Sequence, residues 1–495
     1  MRKLALFTTL VHLSCSSGSK GDSGRDDDAP DSDSGAAGDS VPETGDSVAD
    51  TGDSASEAGL VRELATADAI VRSDVCGQTF GGAIFTNIDL NGDGLEDVLV
   101  TGSSPYCEDS SAWYGFYSSS TPDSVWDWVP GETTARSSAD VIIGSVPTDG
   151  TQGRPAGDVD GDGFDDLLSA SCGSEQMPCL LFGPFAWELD PDSARMVRFE
   201  GPQVDIDQGN LLFGDMAAGD LDGDGAVDVV VSDAGYSHSA YVIYGPVDRD
   251  MDMDLDSYRI SGVGEEEFGW DAAIPGDLDG DGVGELAVSA IYEGWSYGAI
   301  YLYRAPVLAD ISYSDADATV NGDPSGQGLG DIWPLGDLNG DGYDDLVLGG
   351  DTESHAGAVF VIYGPGPADG DSTVASADAR LLGEAEGDEA DSVARAGDIN
   401  DDGFADVFVG ATQPDVDLGK AGVSYLVLGP LAGSMSLADS AVRFPGTSAG
   451  EQAGIVAGNV DLNSDGELDL VVGAPGWPTP ALSNGSIYGL FGPLM

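Results

Sequence analysis

Asp220-Leu-Asp222-Gly-Asp224-Gly225-Ala-Val-Asp228-Val-Val-Val-Ser232 decides the fold. Oxygen-bearing side chains stand at positions 1, 3, 5 and 9 of a loop that runs straight into an aliphatic segment. The pattern occurs seven times. Positions 1, 3, 5, 7 and 9 are Asp89, Asn91, Asp93, Leu95 and Asp97 in the first copy and Asp158, Asp160, Asp162, Phe164 and Asp166 in the second. The quoted third copy supplies Asp220, Asp222, Asp224, Ala226 and Asp228, and the fourth Asp277, Asp279, Asp281, Val283 and Glu285. The fifth has Asp337, Asn339, Asp341, Tyr343 and Asp345. The sixth has Asp398, Asn400, Asp402, Phe404 and Asp406, and the seventh Asp461, Asn463, Asp465, Glu467 and Asp469. First positions are 69, 62, 57, 60, 61 and 63 residues apart, and position 6 is always Gly. Such even repetition means one repeat architecture, not a string of separate domains.

The spacing suits calcium, a hard cation that takes six to eight oxygen ligands at about 2.3–2.6 Å. Side chains at positions 1, 3 and 5 of a tight turn converge on one point, and glycine at position 6 permits the turn. A backbone carbonyl at position 7 and a carboxylate at position 9 complete the set, for up to seven ions. An EF-hand begins the same way but needs an acid at position 12 and flanking helices. Position 12 here is Val100, Ser169, Val231, Val288, Leu348, Val409 or Val472, which excludes it. Position 10 is always aliphatic, so each loop leads into a buried strand.

A second strand follows each first one, as in Ala240-Tyr-Val-Ile-Tyr244 and Ala358-Val-Phe-Val-Ile-Tyr363, commonly closed by Gly-Pro. A short outer strand such as Tyr258-Arg-Ile260 or Ala379-Arg-Leu-Leu382 comes next. Four strands per unit, seven times over, predict an all-β seven-bladed propeller with four-stranded blades and a calcium loop in each.

The formal charge is −72, with lysine only at Lys3, Lys20 and Lys420. A surface this acidic repels phosphate backbones, so nucleic acid is not an expected partner. Seven calcium ions would offset 14 of those charges, which leaves room for adaptation to a saline habitat. Arg2 and Lys3 precede the apolar run Leu4 to Leu13 and then Ser14-Cys15. The run suits a signal peptide over residues 1–15, and its end resembles a bacterial lipoprotein signal in which Cys15 is lipidated. Ordinary secretion is the alternative. Residues 16–58 are Gly-, Ser-, Asp- and Ala-rich without an aromatic, so they read as a disordered acidic linker. Residues 59–495 hold the propeller. Four further cysteines, Cys76, Cys107, Cys172 and Cys179, fit two disulfides in an oxidising compartment.

The units resemble FG-GAP repeats, the blades of integrin alpha-chain propellers and of many bacterial surface proteins. Phe80-Gly81, Phe213-Gly214 and Phe268-Gly269 carry the first half of that signature, and Gly473-Ala474-Pro475 the second. The resemblance implies calcium loops between the innermost and second strands, on the lower face. It also places Cys76 and Cys107, like Cys172 and Cys179, on upper-face connections, hence the pairs Cys76–Cys107 and Cys172–Cys179.

The expected function is that of a calcium-binding, surface-displayed or secreted module, acting in binding or adhesion without catalysis. Its expected location is the cell surface or outer envelope. A structural envelope component is the alternative, and a glycan-active hydrolase or lyase a third. Neither a nucleophile elbow, HExxH nor a P-loop occurs. A protein or glycan partner would meet the upper loops, where Tyr106, Trp113, Tyr236, Tyr292, Trp295, Tyr297 and Trp477 are candidate contacts. Packing between blades is the alternative for each. His238 and His355 read as loop-surface residues, and the chain as a monomer. A ring must join its last blade to its first or leave strand edges exposed. The segment 60–72 is therefore expected to add the outer strand of blade seven, beside Ser486–Phe491.

Overall fold

The computed structural model describes residues 60–495, apart from 63, 74–78, 104–111, 119–130, 145–152, 173–176, 187–188, 190–193, 202–214, 236, 263–266, 292–296, 324–325, 353–355, 367–369, 414–420 and 477–484. Cys15, the segment 16–58, Cys76, Cys107, Tyr106, Tyr236, Tyr292, Trp295, His355, Phe213 and Trp477 lie outside the described residues.

Among the described residues, seven sheets, each antiparallel over its first four strands, follow one another around a ring. Blade three shows the plan: an inner strand Met216–Gly219, the acidic loop, a second strand Asp228–Asp233, a third Ser239–Ile243 and an outer Tyr258–Ser261. The second strands of blades one, three, four, six and seven are buried at every residue. Both of their faces pack on neighbouring blades, which is why they read as continuous aliphatic runs without alternation. Seven apolar clusters among the described residues each bridge two adjacent blades. One of them joins the last blade to the first, with Val71, Val471 and Ile487 against Ile84, Val98 and Tyr114.

The ring closes as the sequence implies. Ala69–Arg72 pairs antiparallel with Ser486–Leu490, in the register Ala69 to Gly489 and Arg72 to Ser486. Phe491 N–H donates to Asp68 Oδ2 at 2.9 Å, and Leu64 is fully buried between blades six and seven.

Each blade has its four expected strands, and in six of the seven sheets among the described residues a fifth is added. The segment between the third and fourth strands of each blade reaches back to the preceding blade. There it adds a short strand parallel to the outer one. Met251–Asp252 joins blade two, Ile311–Ser312 blade three, Gly370–Thr373 blade four and Gly433–Ser436 blade five. Leu60–Val61 joins blade six and Gly131–Thr134 joins blade seven. On blade one the same contact is a single bridge, Ile143 to Leu189. Pieces of two to four residues have no periodicity to read.

Cys172 ends the second strand of blade two and is bonded to Cys179 in the third, with Cα atoms 6.0 Å apart. Trp113 corrects the list of loop aromatics. It lies in the third strand of blade one, is 1% exposed and packs between blades one and two. Tyr297 is half-buried, and its carbonyl accepts from Leu329 N–H. His238 is also half-buried, with φ 47° and Nδ1 enclosed.

Candidate metal centres

Each acidic loop joins an inner strand to the buried second strand of its blade, and backbone N–H groups organise it. In loop one, Asp89 Oδ1 accepts from Gly92 N–H at 2.7 Å and Oδ2 from Gly94 N–H at 2.8 Å. Asn91 Oδ1 accepts from Asp93 N–H, and Asp93 Oδ1 from Leu95 N–H. The pattern recurs at Asp158, Asp220, Asp277, Asp337, Asp398 and Asp461, each holding the N–H of the glycine five residues on. That glycine has φ between 80° and 92° in all seven loops. A Cβ there would meet nothing within 4 Å, so the backbone angle, not space, demands glycine. Asp401 and Ser464 hold φ of 59° and 56° at position 4, where five loops have glycine.

The position 9 carboxylate has a double role. Asp469 Oδ2 accepts from Leu462 N–H within the loop, and Oδ1 from Gly492 N–H at the end of the third strand, both at 2.8 Å. Asp166, Asp228, Asp345 and Asp406 link loop and Gly-Pro turn in the same way, and Asp97 reaches Leu90 and Ser118. Glu285 accepts from Leu278 N–H. Burial pushes Asp97 up to about 8 and Asp166, Glu285 and Asp469 up to about 7. Backbone hydrogen bonds oppose the shift, and the other loop carboxylates add to it.

The donor set fits a hard divalent cation. Ligand oxygens of Asp158, Asp160 and Asp166 lie within 4.8 Å of one another, as do those of Asp220, Asp222 and Asp228, and of Asp277, Asp279 and Asp281. All are oxygens, as calcium requires. Loops one, five, six and seven place Asn at position 3 and so have one carboxylate fewer. The side-chain amides of Asn339 and Asn400 donate to Asp341 and Asp402.

Two arginines were missed from sequence. Arg195 pairs with Asp160 in loop two, and Arg304 Nε donates to Asp279 in loop four at 2.8 Å. Both come from the connection after the third strand, at a sequence distance that motif spacing does not report. A second charged group lies on the inner strands. Arg154 forms a bidentate pair with Asp215 and stands 3.6 Å from Asp271 Oδ1. Burial, then Asp215, pushes Asp271 up to about 8. Trp270, 37% exposed, adjoins Asp271 at the end of its strand away from the loop.

The FG-GAP repeat model matches residues 334–362 and 453–490, in blades five and seven. Integrin alpha pat-2 of Caenorhabditis briggsae is 27% identical over 238 residues, 43% of this chain and 18% of that protein. The chain carries FG-GAP repeats and builds them into an integrin-alpha-like propeller. Phosphatidylinositol-glycan-specific phospholipase D of Bos taurus is 34% identical to this FG-GAP chain over 155 residues, 27% of the chain and 18% of the enzyme. The FG-GAP chain thus matches under a fifth of the length of these relatives. Among solved structures, BBS1N in complex with ARL6DN superposes at a TM-score of 0.46 and 10% identity, covering 86% of this chain and 93% of that one. Among the described residues no helix is long and apolar enough to cross a membrane.

Proposed function

We propose that this propeller is a calcium-stabilised binding module, displayed at a cell surface or secreted, and without catalytic activity. The observation that carries the reading is the recurrence of one all-oxygen loop in all seven blades of an integrin-alpha-like ring. Calcium would supply positive charge where three or four loop oxygens converge, held by positions 1, 3, 5 and 9 with the position 7 carbonyl. The loops then act as fixed pins on one face. The opposite face, where Trp270 is exposed next in sequence to Asp271, is left to meet a protein or glycan. Cys15 would anchor the chain through lipid. The phospholipase likeness supports a shared repeat, and its enzymatic activity is not carried over.

Two measurements test this. Melting in EGTA should fall clearly and recover with calcium, since each site adds roughly 2.7 kcal/mol at a hundredfold excess over Kd. An unchanged melting temperature would refute the metal reading. Pull-down from native envelope and glycan-array binding, with Trp270→Ala as the variant, test the binding face. Turnover in a broad hydrolase screen would overturn the non-catalytic assignment.

A further inference from the structure

Neighbouring loops touch unequally around the ring. Asp165, at position 8 of loop two, accepts from Asp89 N–H through Oδ2 at 2.7 Å and returns its own N–H to Asp89 O at 2.9 Å. Asp344, at position 8 of loop five, does the same to Asp277 of loop four, at 2.8 Å and 3.0 Å. At the other five position 8 sites stand Glu96, Val227, Gly284, Ala405 and Leu468, four of which carry no acceptor in the side chain.

The glycine contacts report the same asymmetry. A Cβ on Gly92 of loop one would lie 2.7 Å from Gly163 O of loop two, and one on Gly280 of loop four 2.4 Å from the Tyr343 ring of loop five. The nearest atom to the equivalent Cβ is 3.5 Å away for Gly223 (loops three and four) and 3.6 Å for Gly340 (loops five and six). A Cβ on Gly276 would collide with the Asp344 carboxylate, so the chain leaves room for that group.

We infer that Asp165 and Asp344 are positioning residues that fasten loops one and two, and loops four and five, into pairs whose calcium affinities are linked. The inference rests on the calcium reading above. Each opening residue, Asp89 or Asp277, is a ligand whose backbone is clamped by the residue next to the partner loop's position 9 ligand. Ordering one loop of a pair therefore orders the first ligand of the other. Such linkage is reciprocal and typically amounts to between about five- and 150-fold in affinity.

The test is a double-mutant cycle on the full chain, read by hydrogen exchange and mass spectrometry over a calcium titration. The readout is the calcium midpoint for protection of the loop one peptide, residues 89–97. Disabling loop two with Asp162→Ala should raise that midpoint on the order of tenfold. In an Asp165→Ala background the same change should leave it unmoved, and Asp165→Asn, which keeps an acceptor oxygen, should restore the linkage. Disabling loop four with Asp281→Ala should leave the loop three midpoint unchanged. Protection of strand 98–102 certifies the fold of each variant. Asp341→Ala with and without Asp344→Ala repeats the cycle on loops four and five should the first set unfold. A loop one midpoint indifferent to loop two, or linkage that survives Asp165→Ala, overturns the inference. Absence of calcium-dependent protection in every loop overturns the calcium reading, and the inference with it.

Discussion

Leu60 and Leu64 offer a matched test of ring closure, four residues apart in one segment. Leu64 is 0% exposed and packs with Phe408, Phe444 and Tyr488 between blades six and seven, whereas Leu60 is 52% exposed. Leu64→Ala removes three buried carbons, worth about 2.4 kcal/mol in transfer at about 0.8 kcal/mol each. The cavity left behind adds to this, for a total of about 3–4 kcal/mol. That is a large share of a net stability of roughly 5–15 kcal/mol. Leu60→Ala should cost no more than about 0.5 kcal/mol. Urea unfolding in saturating calcium, followed by tryptophan fluorescence, gives the two midpoints. Deleting 60–72 should go further and expose the edge beside Ser486–Leu490, promoting aggregation. Equal midpoints for the two leucine variants would refute the role of this segment in closing the ring.

Three further outcomes follow from the site and the strands. In EGTA, stability should fall as pH rises from about 5 to about 8. Asp97, Asp166 and Asp469 have folded pKa values raised above 3.8, to about 8, 7 and 7, so their contribution is complete below the unfolded value and lost through those higher ones. Calorimetry across that range checks it, and a flat metal-free profile would contradict the buried setting of these groups. Asp469→Ala should destabilise by about 2–6 kcal/mol even without metal, because it strands the Leu462 and Gly492 N–H groups. Chemical denaturation in EGTA would show no loss if position 9 served the ion alone. Replacing Cys172 and Cys179 by serine should cost about 2.5 kcal/mol from loop closure over a separation of seven residues, measurable as a lower urea midpoint.

The loops and the buried second strands were legible because chemistry sits there at fixed spacing. Gly94 must have positive φ, Asp89 must hold Gly94 N–H, and Val98 must be buried, and each requirement selects a residue type. The closing strand was legible too, since Ala69–Arg72 repeats the form of Ala379–Leu382. Other features depend on tertiary placement that no local pattern encodes. Trp113 looked like a loop aromatic, yet its strand begins at Ala112. Arg195 and Arg304 reach Asp160 and Asp279 across 35 and 25 residues. Position 9 read as a ligand only, while its hydrogen bonds to the Gly-Pro turn become visible once the third strand is laid beside the second.

The short parallel strands that each blade lends to its predecessor make the ring indifferent to where the chain is cut. Blade seven takes its fourth strand and its neighbour's reinforcing piece from the far end of the sequence, by the contacts that blades two to five make without a break. The break lies between a third strand and the lent piece, and that junction exists in every blade. A circular permutant opened between Leu431 and Gly433, with the old ends spliced, would keep the same set of strand pairings. The order of the codons and the order of the blades are in this sense separable.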